Sequence, residues 1–323
     1  MTDQVLAIDL GGTKISTALV DSSGRIVAQD YRKTEAGGGP DEVIERMVDA
    51  LRDVMEEAGA SSDRVAAIGV GSPGPLNVHT GLVLSPPNLP GWDRIPLRRR
   101  IREALGLRVY LDNDANAAAL GEHRFGAGRG TAHMVYVTVS TGIGGGLILD
   151  GRLYHGISGG AGEVGHMAIL PDGPPCNCGS RGCLEVLSSG TAIAREARRR
   201  VAAGEPSLVA DLVSDDPAQI TAKIVAEAAA LGDEIARAVI DRAMGYLGVG
   251  MASLVNVFNP ELIVIGGGLT NIGEPLFGAV RRGIEERAYP SYAEAVTVLP
   301  AELGDEAGVL GAAAVALSQL DRA

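Results

Sequence analysis

A chain of 323 residues is longer than one ordinary hydrophobic core accommodates and calls for two domains. Its 46% hydrophobic and only 21% charged residues exclude a disordered protein, and 45 glycines against 3% aromatics signal many tight turns where backbone approaches a ligand. A formal net charge of −12 argues against nucleic acid or an anionic membrane as partner, but not against an anionic small substrate held by backbone N–H groups and a metal ion.

In chain order, residues 5–14 read as a buried strand running into a glycine turn, followed by a strand over 15–20, a turn at 21–24 and another strand. Residues 41–58 place Val43, Met47, Val48, Leu51, Val54 and Met55 at helical spacing, just after Pro40. A strand over 65–70 leads into a loop at 71–75 stiffened by Pro73 and Pro75, and a strand over 108–112 leads into a helix beginning at 115–123. From residue 134 the opening layout returns as strand, glycine turn, strand and a turn at 150–151. The repeat predicts two domains of common topology, each opening with a hairpin whose glycine turn points into a shared cleft. Residues 191–257 are predicted helical, 261–265 a strand, 266–268 a glycine turn, and 307–320 an Ala-rich apolar helix. No long linker separates the halves, so the hinge is expected near 113–120. The expected domains are a small one over 1–116, with 305–323 packing back on it, and a large one over 117–304.

No apolar run is read as reaching membrane-spanning length, and the start of the chain has neither a basic segment nor a cleavage site. The three cysteines all lie between Cys176 and Cys183, an odd count at metal-like spacing, which points to the cytoplasm rather than to a disulfide framework.

Several motifs carry chemistry. In Asp9-Leu-Gly-Gly-Thr-Lys14, Gly11 and Gly12 let N–H groups approach phosphate oxygens, Thr13 and Lys14 add donors, and Asp9 at the strand end can hold Mg²⁺. The loop from Ser140 to Gly146, with Thr141, Gly142 and Gly144, is a second such cradle, so that two loops would clamp a polyphosphate. No Walker pattern occurs, and Gly69-Val-Gly-Ser-Pro-Gly74 runs into loop rather than the helix a dinucleotide fingerprint must open. Ser72 to Pro75 therefore reads as the wall of a substrate pocket. In Asp112-Asn-Asp-Ala-Asn116 a strand meets a helix; one polar residue suffices as a cap, and four in five positions are more than a cap requires. A carboxylate there can take the proton of a sugar hydroxyl attacking phosphorus, with Asn113 fixing the sugar, and spacing leaves Asp112 and Asp114 in competition for that role.

His166, Cys176, Cys178 and Cys183 fit tetrahedral Zn²⁺ of the Cys₃His type; four protein ligands close the shell, so the zinc is structural. The second ring nitrogen of His166 would remain a donor to substrate, with Glu163 and Glu185 drawn toward the same pocket.

Together these residues resemble the ROK family of sugar kinases and sugar-responsive repressors, essentially over the whole chain, with bacterial glucokinases the closest match. The resemblance implies an α/β, two-domain actin-like fold of the hexokinase and ribonuclease H type, with duplicated βββαβα-type halves and ATP and Mg²⁺ in the cleft. It implies Asp114 as the base that activates the sugar 6-hydroxyl, and Asn113, Glu163, His166 and Glu185 as holders of sugar hydroxyls, with Ser72, Gly74 and Asn88 closing the other side. Gly12, Thr13, Thr141 and Gly142 would line the phosphate path, and Gly267 and Gly268 would lie beside the adenosine. His166 and the three cysteines match the family's structural zinc site. A homodimer or homotetramer is also implied. The expected function is an ATP-dependent glucokinase. The alternatives are mannose, fructose or N-acetylmannosamine as acceptor, or polyphosphate as donor. A DNA-binding regulator is disfavoured, because the phosphate-loop strand begins by Val5 and leaves no room for an N-terminal helix-turn-helix.

Overall fold

The computed structural model describes residues 4–214 and 216–322. It opens with an antiparallel meander of β1 (Gln4–Leu10), β2 (Lys14–Val20) and β3 (Ile26–Lys33), in which Val5 pairs with Val20 and Leu10 with Ile15. Helix α1 (Gly39–Glu57) carries Pro40 in its first turn, where a missing N–H costs nothing, and buries Val43, Met47, Leu51 and Val54 along one face. Strand β4 (Val65–Ser72) returns parallel to β1. A small hairpin of β5 (Leu76–Asn77) and β6 (Leu82–Val83) follows, then α2 (Leu97–Leu105), which Gly106 stops in the left-handed conformation. Strand β7 (Val109–Asn113) pairs parallel with β4 and passes directly into α3 (Asp114–Phe125). The sheet order is β3-β2-β1-β4-β7.

The second sheet repeats this plan. Its hairpin is β8 (Met134–Val139) and β9 (Ile143–Leu149), with β10 (Arg152–Leu153) as the third strand. Helices α4 (Leu184–Ser188), α5 (Gly190–Ala202), α6 (Leu208–Leu212), α7 (Ala222–Ala230) and α8 (Glu234–Phe258) precede β11 (Leu262–Gly266). Then come α9 (Glu274–Arg287), α10 (Pro290–Ala295) and β12 (Thr297–Pro300). The order β10-β9-β8-β11-β12, with β11 parallel to both neighbours, matches the first sheet strand for strand. The fold is thus the expected α/β one with a duplicated, actin-like plan.

Helix α11 (Ala307–Leu320) packs on β1 and β4 and completes the first unit's second core: Leu6, Ile8 and Leu10 face the α1 layer, whereas Val5 and Ala7 face Val309, Ala313 and Leu317. A strand covered on both faces reads as a continuous apolar run, which is why β1 was legible. The chain divides into two compact units. One comprises the residues up to Ala132, Gly146–Gly162 and those from Ala301 onward; the other comprises His133–Gly145 and Glu163–Pro300. The expected boundary at 116/117 would cut α3. That helix instead stays whole in the first unit, because Gly121 meets the backbone of Gly311 in α11 so closely that a Cβ would lie 2.9 Å from it.

One helix among the described residues, α8, is long and apolar enough to cross a membrane, contrary to the reading of the sequence. It packs against α4, α5, α7 and α9, and 61% of its apolar window is buried within the protein, as in a core helix.

Candidate active site

In the first unit, Asp9 is the penultimate residue of β1 and the chain turns through Gly11 and Gly12. Gly11 N–H donates to Lys14 O at 2.9 Å, and the Thr34 hydroxyl donates to Gly11 O at 2.6 Å. Thr13 and Lys14 are exposed, and Gly12 lies against Asn88. Burial pushes the Asp9 carboxyl up to about 6; the nearby negative charge of Asp114 adds to this and Lys14 opposes it. Asp9 and Asp114 both flank Gly71 at the end of β4. A desolvated carboxylate at the end of a strand, beside a glycine turn, is a donor suited to a hard divalent cation. Ser72 is fully buried, its hydroxyl 3.3 Å from Pro73 O, while Gly74 lies against the Asn113 amide.

The β7–α3 junction separates the two competing aspartates. Asp112 is buried and its carboxylate has three partners. Oδ1 accepts from Asn113 N–H at 2.8 Å and Asn116 Nδ2 at 3.0 Å, and Oδ2 lies 2.6 Å from His155 Nε2. Asn113 is the N-cap of α3, accepting from Ala115 N–H at 3.0 Å. Asp114 is the first residue of the helix and is exposed, with Oδ1 2.8 Å from the same N–H. A carboxylate that serves as general base must reach a substrate proton. Asp112 is enclosed by its own contacts, whereas Asp114 faces outward.

In the second unit, the β8–β9 turn closes with Ser140 N–H donating to Gly142 O at 2.9 Å. The Glu185 carboxylate, at the start of α4, accepts from Ile143 N–H at 2.9 Å. It approaches Gly142 so nearly that a Cβ there would fall 2.4 Å from Oε2 and push the carboxylate aside. Helix α5 begins against the same turn: Gly190 N–H donates to Ser140 O and the Thr191 hydroxyl to Thr141 O, each at 2.8 Å. Gly267 adopts φ 88 beside Val139 O, and Gly268 lies near the Ser140 hydroxyl. These elements border a cavity of about 650 Å³ that Ile220, Leu269, Ile272 and Lys223 also line.

His166, Cys176, Cys178 and Cys183 place their ligand atoms within 4.8 Å of one another. His166 Nδ1 is 3.6 Å from Cys176 Sγ, and the Cys178 and Cys183 sulfurs are 3.7 Å apart. Ligands at ~2.3 Å on a tetrahedron lie roughly 3.8 Å from each other, so these residues fit zinc. Burial and the neighbouring thiols push Cys183 up to about 12, a cost that a divalent cation would relieve. His166 Nε2 points the other way, 4.0 Å from Glu163 Oε2.

A family model described as "ROK family" matches residues 5–319. The chain belongs to the ROK family. This ROK protein is 39% identical over 312 residues to the glucokinase of Thermotoga maritima, covering 97% of this chain and 96% of that one. Its structure resembles that of a ROK hexokinase from Thermus thermophilus, with a TM-score of 0.85, 38% identity and coverage of 99% and 100%. It also resembles a ROK glucokinase from Streptomyces griseus in complex with glucose and AMPPNP, with a TM-score of 0.82, 34% identity and coverage of 98% and 99%. A xylose repressor from Caldicellulosiruptor bescii matches at 32% identity, over 98% of this chain and 78% of the repressor.

Sequence reading of this ROK protein missed the α5 and α7 contributions to the large cavity, Thr191, Arg198, Thr221 and Lys223 among them. The available signals were the caps Ser189 and Thr221, which start helices whose first turns face the cavity. His155 was also missed, because nothing local relates it to an aspartate 43 residues away.

Proposed function

We propose that this ROK protein is an ATP-dependent glucokinase that transfers the γ-phosphoryl group of ATP to the 6-hydroxyl of glucose. The observation that carries this reading is the β7–α3 junction. With Asp112 enclosed by three partners, Asp114 is the carboxylate that accepts the hydroxyl proton, and Asn113 presents its amide to the sugar. Glu163 and the Nε2 side of His166 supply further hydroxyl partners, and zinc held by His166 Nδ1 and the three cysteines would fix that ring. Glu185 joins this set through the oxygen not engaged with Ile143. Ser72 contributes through its backbone, since its hydroxyl is buried. Gly74 and Asn88 line the same side.

On the donor side, Gly12, Thr13 and Lys14 in the turn that Gly11 closes, with Thr141, Gly142 and Gly144, offer N–H groups and side-chain donors to phosphate oxygens. Mg²⁺, for which Asp9 is the fitting ligand, would supply charge neutralisation on the transferring phosphoryl group. The cavity beside Ser140 and Gly268, with a volume of about 650 Å³ and apolar Ile220, Leu269 and Ile272 in its wall, favours a nucleoside triphosphate over bare polyphosphate. A cytoplasmic location, supported by the cysteine pattern, and a homodimeric or homotetrameric state, supported by family resemblance, belong to the same proposal.

The test is ADP release over glucose, mannose, fructose and N-acetylmannosamine, with ATP and polyphosphate compared as donors. Glucose with ATP is expected to give the highest kcat/KM. Asp114→Asn is expected to lower kcat by ~10² or more while retaining glucose affinity. A regulator without transferase activity would release no ADP, and near-normal turnover in Asp114→Asn would reject Asp114 as base.

A further inference from the structure

Asp112 is 4% exposed, and a buried carboxylate with one oxygen unsatisfied is costly. Its Oδ2 has one partner, His155 Nε2, whereas Oδ1 holds the Asn113 N–H and the Asn116 side chain. Because an ionised carboxylate only accepts, Nε2 carries the proton. Asn116 is itself buried, and its Oδ1 has no hydrogen-bond partner, so its amide orientation depends on Asp112. The His155 main chain is held by its own loop: Tyr154 N–H donates to Leu147 O at 2.8 Å, and His155 O accepts from Ala161 N–H at 3.1 Å. The ring forms part of the wall of a cavity of about 380 Å³ that Arg98 and Tyr110 also line, so it is not a sealed core contact.

We infer that His155 is a positioning residue for phosphoryl transfer, acting through Asp112 on the Asn113–Asp114 pair; the inference rests on Asp114 being the base. Without His155, the Asp112 carboxylate must rotate to satisfy Oδ2 or take up a proton, and either change releases the Asn113 N–H or the Asn116 amide. Asn113 is the cap from which α3 starts, so its displacement re-aims Asp114 one residue on. Sub-ångström errors in such a group are felt in turnover rather than in folding.

The experiment compares His155→Phe, which has no donor, with His155→Gln, which keeps an N–H. Each is made alone and combined with Asp114→Asn. His155→Phe is expected to lower kcat about tenfold at saturating glucose and ATP, with the lowered Tm that an unsatisfied buried carboxylate brings, the protein still folded at the assay temperature, and glucose Kd raised by less than kcat falls. His155→Gln should recover most of that loss. In the Asp114→Asn background, His155→Phe should cause no further fall, because the group it positions is already gone. Unchanged kcat in His155→Phe beside a crippled Asp114→Asn overturns the inference alone, and so does a loss that multiplies in the double variant. Full turnover of Asp114→Asn by itself overturns the base assignment and the inference with it.

Discussion

The β1–β2 and β8–β9 hairpins share strand, glycine turn and strand, yet a carboxylate reaches each turn differently. In the first, Asp9 belongs to the strand itself and is left desolvated, with its carboxyl raised to about 6. In the second, the carboxylate is Glu185, delivered by α4 from 42 residues away, and one of its oxygens is occupied by the turn's own Ile143 N–H. A glycine turn therefore supplies only the cradle of N–H groups. Whether the adjoining carboxylate is available to a cation or braces the loop is decided by where its partners lie.

Two substitutions and a pH dependence test that contrast. Asp9→Asn removes the carboxylate proposed to hold Mg²⁺ and is expected to lower kcat by about 10² or more, with the fold intact by circular dichroism. A mild effect would put the cation elsewhere. Gly142→Ala forces the Glu185 carboxylate away from Ile143 and is expected to cost about tenfold in kcat/KM for ATP. An unchanged KM for ATP would mean that the brace is dispensable.

The smallest effect is on stability. Asp9 has a folded-state value of about 6 against 3.8 as its ordinary value, so between those pH values the folded protein holds more proton than the unfolded chain. Stability in metal-free buffer should therefore fall as pH rises from about 4 to 6 and level off above. Asp9→Asn should flatten that slope, measured by urea unfolding across the range.

What could be read without coordinates was whatever depends on neighbours in sequence. Strand β1, helix α1, the glycine turns and the cysteine cluster were legible because periodicity, turn chemistry and ligand spacing are local. Distinguishing Asp112 from Asp114 was not possible: the two are alike in spacing and differ in burial, and the burial of Asp112 is completed by His155 from a remote loop. The division into compact units was not legible for a similar reason. Segment Gly146–Gly162 returns to the first unit because Gly146 presses on Ala119 of α3, and a contact between small residues leaves no periodic signal. The apolar length of α8 was overlooked because its charged residues, such as Arg237, Asp241 and Arg242, interrupt the run.

Helix α11 has a consequence for how the protein is made. It covers β1 and β4, so the strand bearing Asp9 lacks one of its two apolar covers until residues 307–320 exist. At ribosomal speeds of about 5–20 residues per second, that strand waits roughly 15–60 s after it emerges. During that interval its Val5 and Ala7 face is open to any passing apolar surface. A nascent chain interrupted before Ala307 would carry every residue of the proposed chemistry and still be a client for chaperones rather than an enzyme.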